Sequence, residues 1–377
     1  WLKNDPLEVG RLLLQFSQRC EMGVAASLGS DVHDQLIECL IVPSESLDVE
    51  VELSEAAHLH WLLSLTLVAR AARPALVACL GRSVGASRGA VARASAVQAL
   101  SAVAEENDSE VVALLTSYVD DESAVVRKAV VSGLAAVASL YDGRAEEAVR
   151  RCLHDSADDV VQAALRTAPL VCKLGSPRMI KAVSSCLTAE NWMTRKMALA
   201  TIGIIAPPGD SSAPGVLAVS LEDTNTWVRV AAIDGIAKVA ERGDAAALAL
   251  VAARLDDRAW NVRAAALGAI SSLALAGDEH AAKMVASQLE DEYPSVRIAA
   301  LEALSDVWPR WDRSILKLVL MRVHQDPDSD VRVEAIEALV HSSFVGDEEI
   351  IEALRTCERE DREAEVRSAA ESVVERL

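Results

Sequence analysis

"DTNTWVRVAAIDGIAKVA" occupies Asp223 to Ala240, "DRAWNVRAAALGAISSLA" begins 34 residues later at Asp257, and "DEYPSVRIAALEALSDV" begins another 34 later at Asp291. Each stretch has an acid, then Val-Arg, then an apolar run. Aligned on the arginine, the pattern extends to Arg93, Arg127, Arg195, Arg229, Arg263, Arg297, Arg332 and Arg367, with Gln162 standing in for one arginine, at intervals of 33 to 35 residues. Self-similarity at a fixed period of this length is the mark of a stacked array.

Each unit holds two helical patterns. In "DEHAAKMVASQLEDEYPSVRIAALEALSDV" the first runs from about Glu279 to Leu289, with Ala282, Val285, Ala286 and Leu289 on one face. The second starts near Ser295, and Val296, Ala299, Ala300, Ala303 and Leu304 form its apolar stripe. The acidic turn Glu290-Asp291-Glu292 lies between them, and Pro294 suits the first turn of the second helix. No strand-like alternation persists, so the chain is all-α.

The acid is as regular as the arginine. Six residues before it stand Asp121, Asp223, Asp257, Asp291, Asp326 and Asp361, preceding Arg127, Arg229, Arg263, Arg297, Arg332 and Arg367. Such an Asp can cap the second helix or accept backbone amides in the turn. The arginine fork can reach an Asp in its own or a neighbouring repeat, so stacking would produce a ladder that fixes register. Read as an exposed pair, each rung is worth about 0–1 kcal/mol.

The Asp-x5-Arg spacing, the Val before the Arg and the "xxAaxAL" after it resemble the HEAT repeat. The likeness is greatest to the short variety also found in phycobilisome-lyase-type proteins. It covers residues 74–377 best and reaches more loosely back to 31. The resemblance implies a right-handed α-solenoid (superhelix) of about ten antiparallel helix pairs. Its second helices would line a concave face that binds other proteins. One helix pair cannot bury its apolar face alone, whereas stacked copies bury a continuous core. Residues 1–30 read as an N-terminal helical cap and 31–377 as a continuous array, with loop insertions at 43–53 and 207–215. Glu371, where other repeats carry Val, Leu or Ile, reads as the polar face of a terminal cap.

Composition narrows the functional classes. Of 377 residues 51% are apolar and only 3% aromatic, and 57 acids against 37 bases give a net charge of −20. That balance, without a basic run, argues against nucleic acid and for partner proteins with basic or mixed surfaces. Seven scattered cysteines, none in a C-x-x-C pair, read as reduced thiols in an intracellular, reducing compartment, cytoplasmic by default. The longest apolar run, Trp61 to Ala69, stops at Arg70, so no membrane span is expected. Peripheral association with a membrane complex remains compatible. The sequence begins at Trp1 rather than Met, which leaves room for a preceding targeting segment and an organelle.

No catalytic residue, cofactor or metal is expected. The chain has no G-x-x-x-x-G-K-[ST], G-x-S-x-G or H-E-x-x-H motif. His58 and His60 point apart on a helix, and no Cys-His pairing stands out by spacing. Two features could bind a partner. Trp192, Trp227 and Trp260 open three consecutive second helices, with Asn191, Asn225 and Asn261 beside or near them. They read either as an exposed contact edge or as plugs between repeats, with plugging the commoner fate of large aromatics. Trp308 and Trp311, which flank Pro309, read as packing. Positions one, five and nine after each arginine estimate the concave face, and Asp234, Glu302, Asp306 and Glu337 would make its later part acidic. A merely solvated face explains those acids equally well. In the irregular unit around Gln162, Arg166 stands at a usually apolar position and Pro169 interrupts the helix, as drift or as a kink.

These features point to a non-enzymatic scaffold, adaptor or structural subunit. The repeat resemblance also implies two alternatives: a bilin-chromophore lyase or chaperone-like subunit, and an importin-like receptor for basic peptides.

Overall fold

The computed structural model describes residues 89–140, 142–210, 212–308, 312–340 and 347–376. The expected cap at 1–30, the loop at 43–53, His58, His60, Pro309 and Trp311 lie outside the described residues. The chain divides into two compact units, Trp1–Val183 and Ser184–Leu377. All the regular structure among the described residues is helical.

In the first unit α1 (Ala90–Val103), α2 (Ser109–Ser117), α3 (Ala124–Val137), α4 (Gly143–Cys152) and α5 (Asp158–Val171) alternate between two layers, and α6 (Pro177–Ser185) runs to the division. The odd-numbered helices stack on one another, α1 on α3 and α3 on α5. The second unit continues the pattern with α7 (Trp192–Ile205), α8 (Ala213–Ala218), α9 (Thr226–Val239), α10 (Ala245–Ala252), α11 (Trp260–Leu273) and α12 (Glu279–Ser287). It ends with α13 (Pro294–Val307), α14 (Arg313–Gln325), α15 (Ser329–Val340), α16 (Glu348–Glu360) and α17 (Ala364–Arg376). Here α7, α9, α11, α13, α15 and α17 pack in sequence, and each packs also on the even-numbered helix or 3-10 turn before it. The fold is an all-α solenoid.

Sequence periodicity builds the core. In α11 Val262, Ala266, Leu267, Ala269, Ile270 and Leu273 are buried, a stripe at helical spacing. One position in every odd-numbered helix from α3 to α15 stays small: Gly133, Thr167, Thr201, Gly235, Ala269, Ala303 and Ala338, all buried. A Cβ on Gly133 would stand 2.2 Å from the Ser101 hydroxyl oxygen of α1. The small residue therefore sets how closely the layer packs. Gly133→Val is expected to destabilise the first unit by about 1–3 kcal/mol, measured by chemical denaturation.

The turns carry a second period that the arginine alignment does not reveal. Asp108, Asp142, Asp244, Asp278, Asp312 and Asp347 each cap the following even-numbered helix through its backbone amides. Asn107, Gly243 and Gly277 adopt positive φ at the residue just before these caps, and Gly175 and Gly209 do so in the corresponding turns. The amides of Asn107, Gly209 and Gly243 donate to the carbonyls of Val137, Val239 and Leu273, at 2.8, 2.8 and 2.6 Å. Each of these bonds ties a turn to the end of the next odd-numbered helix.

Several expectations shift. The helix expected from Glu279 to Leu289 ends at Ser287 and tightens into a 3-10 turn at Gln288–Glu290, and the following helix starts at Pro294. The 207–215 connection is shorter than expected because α8 begins at Ala213. In the irregular unit α5 starts at Asp158, which puts Val161, not Gln162, at the arginine position 34 residues from both Arg127 and Arg195. Arg166 is then no intruder on the apolar face. It is exposed at the register of Asp234 and Glu302. Pro169 lies in the last turn of α5, where the helix continues to Val171.

Candidate functional site: the ladder and the leading ends of the odd-numbered helices

The arginine fork crosses to the next repeat. Nε and Nη2 of Arg229 donate to the two Asp257 carboxylate oxygens at 2.9 and 2.8 Å. Equivalent double bonds join Arg93 to Asp121, Arg127 to Asp155, Arg195 to Asp223, Arg263 to Asp291, Arg297 to Asp326 and Arg332 to Asp361. The third nitrogen, Nη1, returns to the carbonyl six residues earlier in its own repeat, as from Arg263 to Asp257 at 2.8 Å and from Arg195 to Ala189 at 2.7 Å. Arg367 donates its Nη1 to the Asp361 carbonyl at 2.7 Å. Asp121, Asp223, Asp257, Asp291, Asp326 and Asp361 therefore each serve the arginine before them through the carboxylate and the arginine after them through the carbonyl. Asp155 is a rung that the six-residue spacing overlooked, because Val161 fills the arginine position beyond it.

These rungs are not exposed pairs. The Arg229 and Asp257 side chains are 4% and 7% exposed, and those of Arg297 and Asp326 are 7% and 0%. The small value expected for a surface pair therefore does not apply. One Oδ1 per Asp also accepts a backbone amide two residues on, at 2.8 Å from Asn225 to Asp223 and 2.9 Å from Ala259 to Asp257. The Asp thus shapes the turn into the next odd-numbered helix as well as holding the rung.

Burial pushes the carboxyls of Asp121, Asp155, Asp223, Asp257 and Asp361 up. The arginine and amide bonds pull them down by more, so each lies below the ordinary range. A carboxyl depressed in the folded state adds stability that is complete above its unfolded pKa and disappears as pH falls through the folded value. The ladder contribution is therefore expected to hold at neutral pH and to be lost below about pH 4. Melting temperature measured across that range checks it. A decline centred near pH 6 would assign the acid sensitivity to other groups.

The three tryptophans stand at the leading ends of α7, α9 and α11, and they are exposed, 36% for Trp192, 54% for Trp227 and 43% for Trp260. Tyr293, which the sequence reading missed, continues the row before α13 and is 42% exposed. Its ring stacks on Trp260 with centroids 6.3 Å apart. The Lys196 ammonium lies 5.6 Å from the Trp227 ring centre, and the Arg263 guanidinium 5.6 Å from that of Tyr293. Asn191 and Asn225 accept the amides of Met193 and Trp227, both at 2.9 Å, so both act as helix caps. Trp308, by contrast, is buried.

The residues one, five and nine after the arginine form a solvent-facing stripe along the odd-numbered helices. Asp234, Glu302 and Asp306 are exposed on it and Glu337 is half-buried. Glu337 accepts from Arg376 at 3.3 Å, and Asp306 from the Ser271 hydroxyl at 2.5 Å. Although Asp234 has an exposed edge, partial desolvation by the side chains around it raises its carboxyl above the ordinary value against the pull of Lys238 and Lys196.

The described cysteines, Cys152, Cys172, Cys186 and Cys357, are buried. Burial raises Cys152 to about 12 and the other three to about 11, so all are thiols at neutral pH. The fold brings Cys357 Sγ within 3.7 Å of His324 Nδ1, a pair that spacing did not reveal, but a protonated buried thiol is a poor nucleophile. Among the described residues no cluster of three or more His, Cys, Asp or Glu could hold a metal, and no helix is long and apolar enough to cross a membrane.

A family profile described as HEAT repeats matches residues 213–305 and 284–375, and one described as a HEAT repeat associated with sister chromatid cohesion matches 106–134. No curated protein matches the chain by sequence. Among solved structures, Kap121p is similar at a TM-score of 0.66 and 17% identity, over 98% of this chain and 44% of that one. Kap95p, in a structure with RanGDP, is similar at 0.69 and 13%, over 96% and 51%. Kap121p bound to Nup53p gives 0.66 and 16%, over 98% and 44%. The chain thus spans about half the length of these structures, and the likeness is one of fold.

Proposed function

We propose that this chain, a HEAT-repeat protein, is a non-enzymatic docking scaffold that holds partner proteins along the leading ends of its odd-numbered helices and along their solvent-facing stripe. The row Trp192, Trp227, Trp260 and Tyr293 carries this reading. Large rings left in water on four consecutive repeats contribute little to the core, whereas Trp and Tyr are favoured anchors of protein interfaces. Multi-point docking on a regular surface also suits a fold in which each repeat contacts only its neighbours.

A second reading, an importin-like receptor, draws support from the fold likeness to Kap95p and Kap121p and from the acid excess. It requires a partner whose binding weakens steeply as salt rises.

Gentle purification from the native source tests the proposal. The expected result is a particle well above the 40.2 kDa of the chain, containing at least one other protein. A lone 40.2 kDa species with visible absorbance would overturn it in favour of chromophore handling.

A further inference from the structure

We infer that the corner between α5 and α6 is a further docking surface, and that it receives a short acidic segment of a partner protein with apolar side chains among its carboxylates. The corner belongs to the first unit and the aromatic row to the second, so the two readings stand or fall separately. A local loss of acid carries the inference. From Val160 to Ala189 the sequence has no Asp or Glu but four cations, Arg166, Lys173, Arg178 and Lys181, in a chain with 57 acids and 37 bases.

Two of the missing acids hold structural posts in other repeats. The turn Asp that caps the even-numbered helix, as Asp142, Asp244 and Asp278 do, is here Ser176. The Ser176 hydroxyl accepts the Met179 amide at 3.4 Å and donates to Glu146 at 2.8 Å. The ladder Asp is here Ala189, 34 residues from both Asp155 and Asp223, and the arginine position it would serve is Val161. A hydroxyl can still cap and an apolar pair can still pack, so the fold does without both carboxylates. The surface then keeps its cations with no acid of their own repeat to balance them.

Those cations are exposed and unpaired. Among the described residues of the first unit, ion pairs are made by Arg93, Arg127, Lys128, Arg144, Arg150 and Arg151. Lys173, Arg178 and Lys181 take no part and are exposed. Glu147 of α4, which also feels Arg178, is already held by Arg150 at 2.5 Å. Leu170 and Leu174, 50% and 57% exposed, stand among the cations on the same short stretch around one turn.

This mixture selects the occupant. Exposed leucines gain from apolar side chains and nothing from a phosphate backbone. A nucleic acid, an anionic membrane or a second copy presents a broad negative surface that the rest of a −20 chain repels. A short acidic segment meets only the corner, because charges beyond about 8 Å are largely screened at physiological salt.

Fluorescence anisotropy of labelled 12-residue peptides with the full chain tests the inference. One peptide carries four glutamates and three leucines among alanines, and the other has glutamine at each glutamate position. The acidic peptide is expected to bind about 10-fold tighter or more, by a margin that shrinks as salt rises. Lys173→Glu with Arg178→Glu is expected to weaken it about 10-fold or more, and Trp227→Ala to leave it unchanged. Circular dichroism confirms that the charge-reversed variant is folded, and the comparison of the two peptides needs no variant. Equal affinity for both peptides, or acidic-peptide binding that the charge reversal leaves intact, overturns the inference. Sedimentation with phosphatidylserine vesicles that the charge reversal abolishes, without preference for the acidic peptide, overturns it in favour of a membrane surface.

Discussion

Asp326→Ala is expected to destabilise the second unit by about 3–5 kcal/mol, the cost of leaving a buried charge without its partner. Asp326 is 3% exposed and accepts both donors of the Arg297 fork, at 2.8 and 2.7 Å. It also accepts the Asp328 amide at 3.1 Å and has Arg322 within 3.6 Å. Removing the carboxylate therefore strands a guanidinium that is 7% exposed and opens the turn into α15. Replacing the pair together, Arg297→Met with Asp326→Leu, is expected to recover much of the loss, because a well-packed apolar pair of similar volume avoids desolvating two ions. Urea denaturation of the two single variants and the double variant measures the coupling. A single-variant loss below about 1 kcal/mol would mean that the rung behaves as a surface pair.

Ile236→Ala in α9 is expected to cost about 2–5 kcal/mol. Ile236 is fully buried at the inner face of the layer, where α9 packs against α7 and α11. Each repeat of a solenoid touches only its neighbours, so the damage should remain local. Hydrogen exchange is expected to accelerate first in α7, α9 and α11 and to leave α15 and α17 nearly unchanged. Uniform acceleration throughout the second unit would indicate that it unfolds as one cooperative block.

The fold was legible because its determinants are local and repeated. The acid, the Val-Arg and the apolar stripe recur at nearly constant spacing, and each reports a packing need that every repeat shares. Register at the irregular unit was misread because Gln162 looked like the substitute for an arginine. Helix position, not residue similarity, decides the equivalence, and that gives the place to Val161. The ladder's connectivity was left open for a related reason. Six residues separate the Asp from the Arg in its own repeat, but the carboxylate lies opposite the arginine 28 or 29 residues earlier, a contact that only stacking creates. The cap residues Asp244 and Asp278 were visible as a second period, beside Gly243 and Gly277, and an alignment on arginine alone passed over them.

The surface was harder to read. A tryptophan at the start of a helix has the same sequence signature whether it plugs a gap or faces water. Its exposure depends on the rise from one repeat to the next, which spacing does not contain. Tyr293 shares the row with Trp260 but stands one position earlier relative to its helix, so strict periodicity missed it. Counting from the arginine located Asp234, Glu302, Asp306 and Glu337 on one stripe, the first three exposed and the last half-buried. What binds there is a matter of partner chemistry, which no period encodes.

Cross-linking with mass spectrometry on the protein in its native assembly addresses the central claim most directly. Zero-length carboxyl-to-amine chemistry would capture a basic partner at Glu190, Glu222, Asp256 and Glu292 beside the aromatic row, and at Asp234, Glu302 and Asp306 on the stripe. The account predicts that partner cross-links concentrate at those positions. Cross-links gathered instead on the even-numbered helices, with the row and stripe empty, would contradict it.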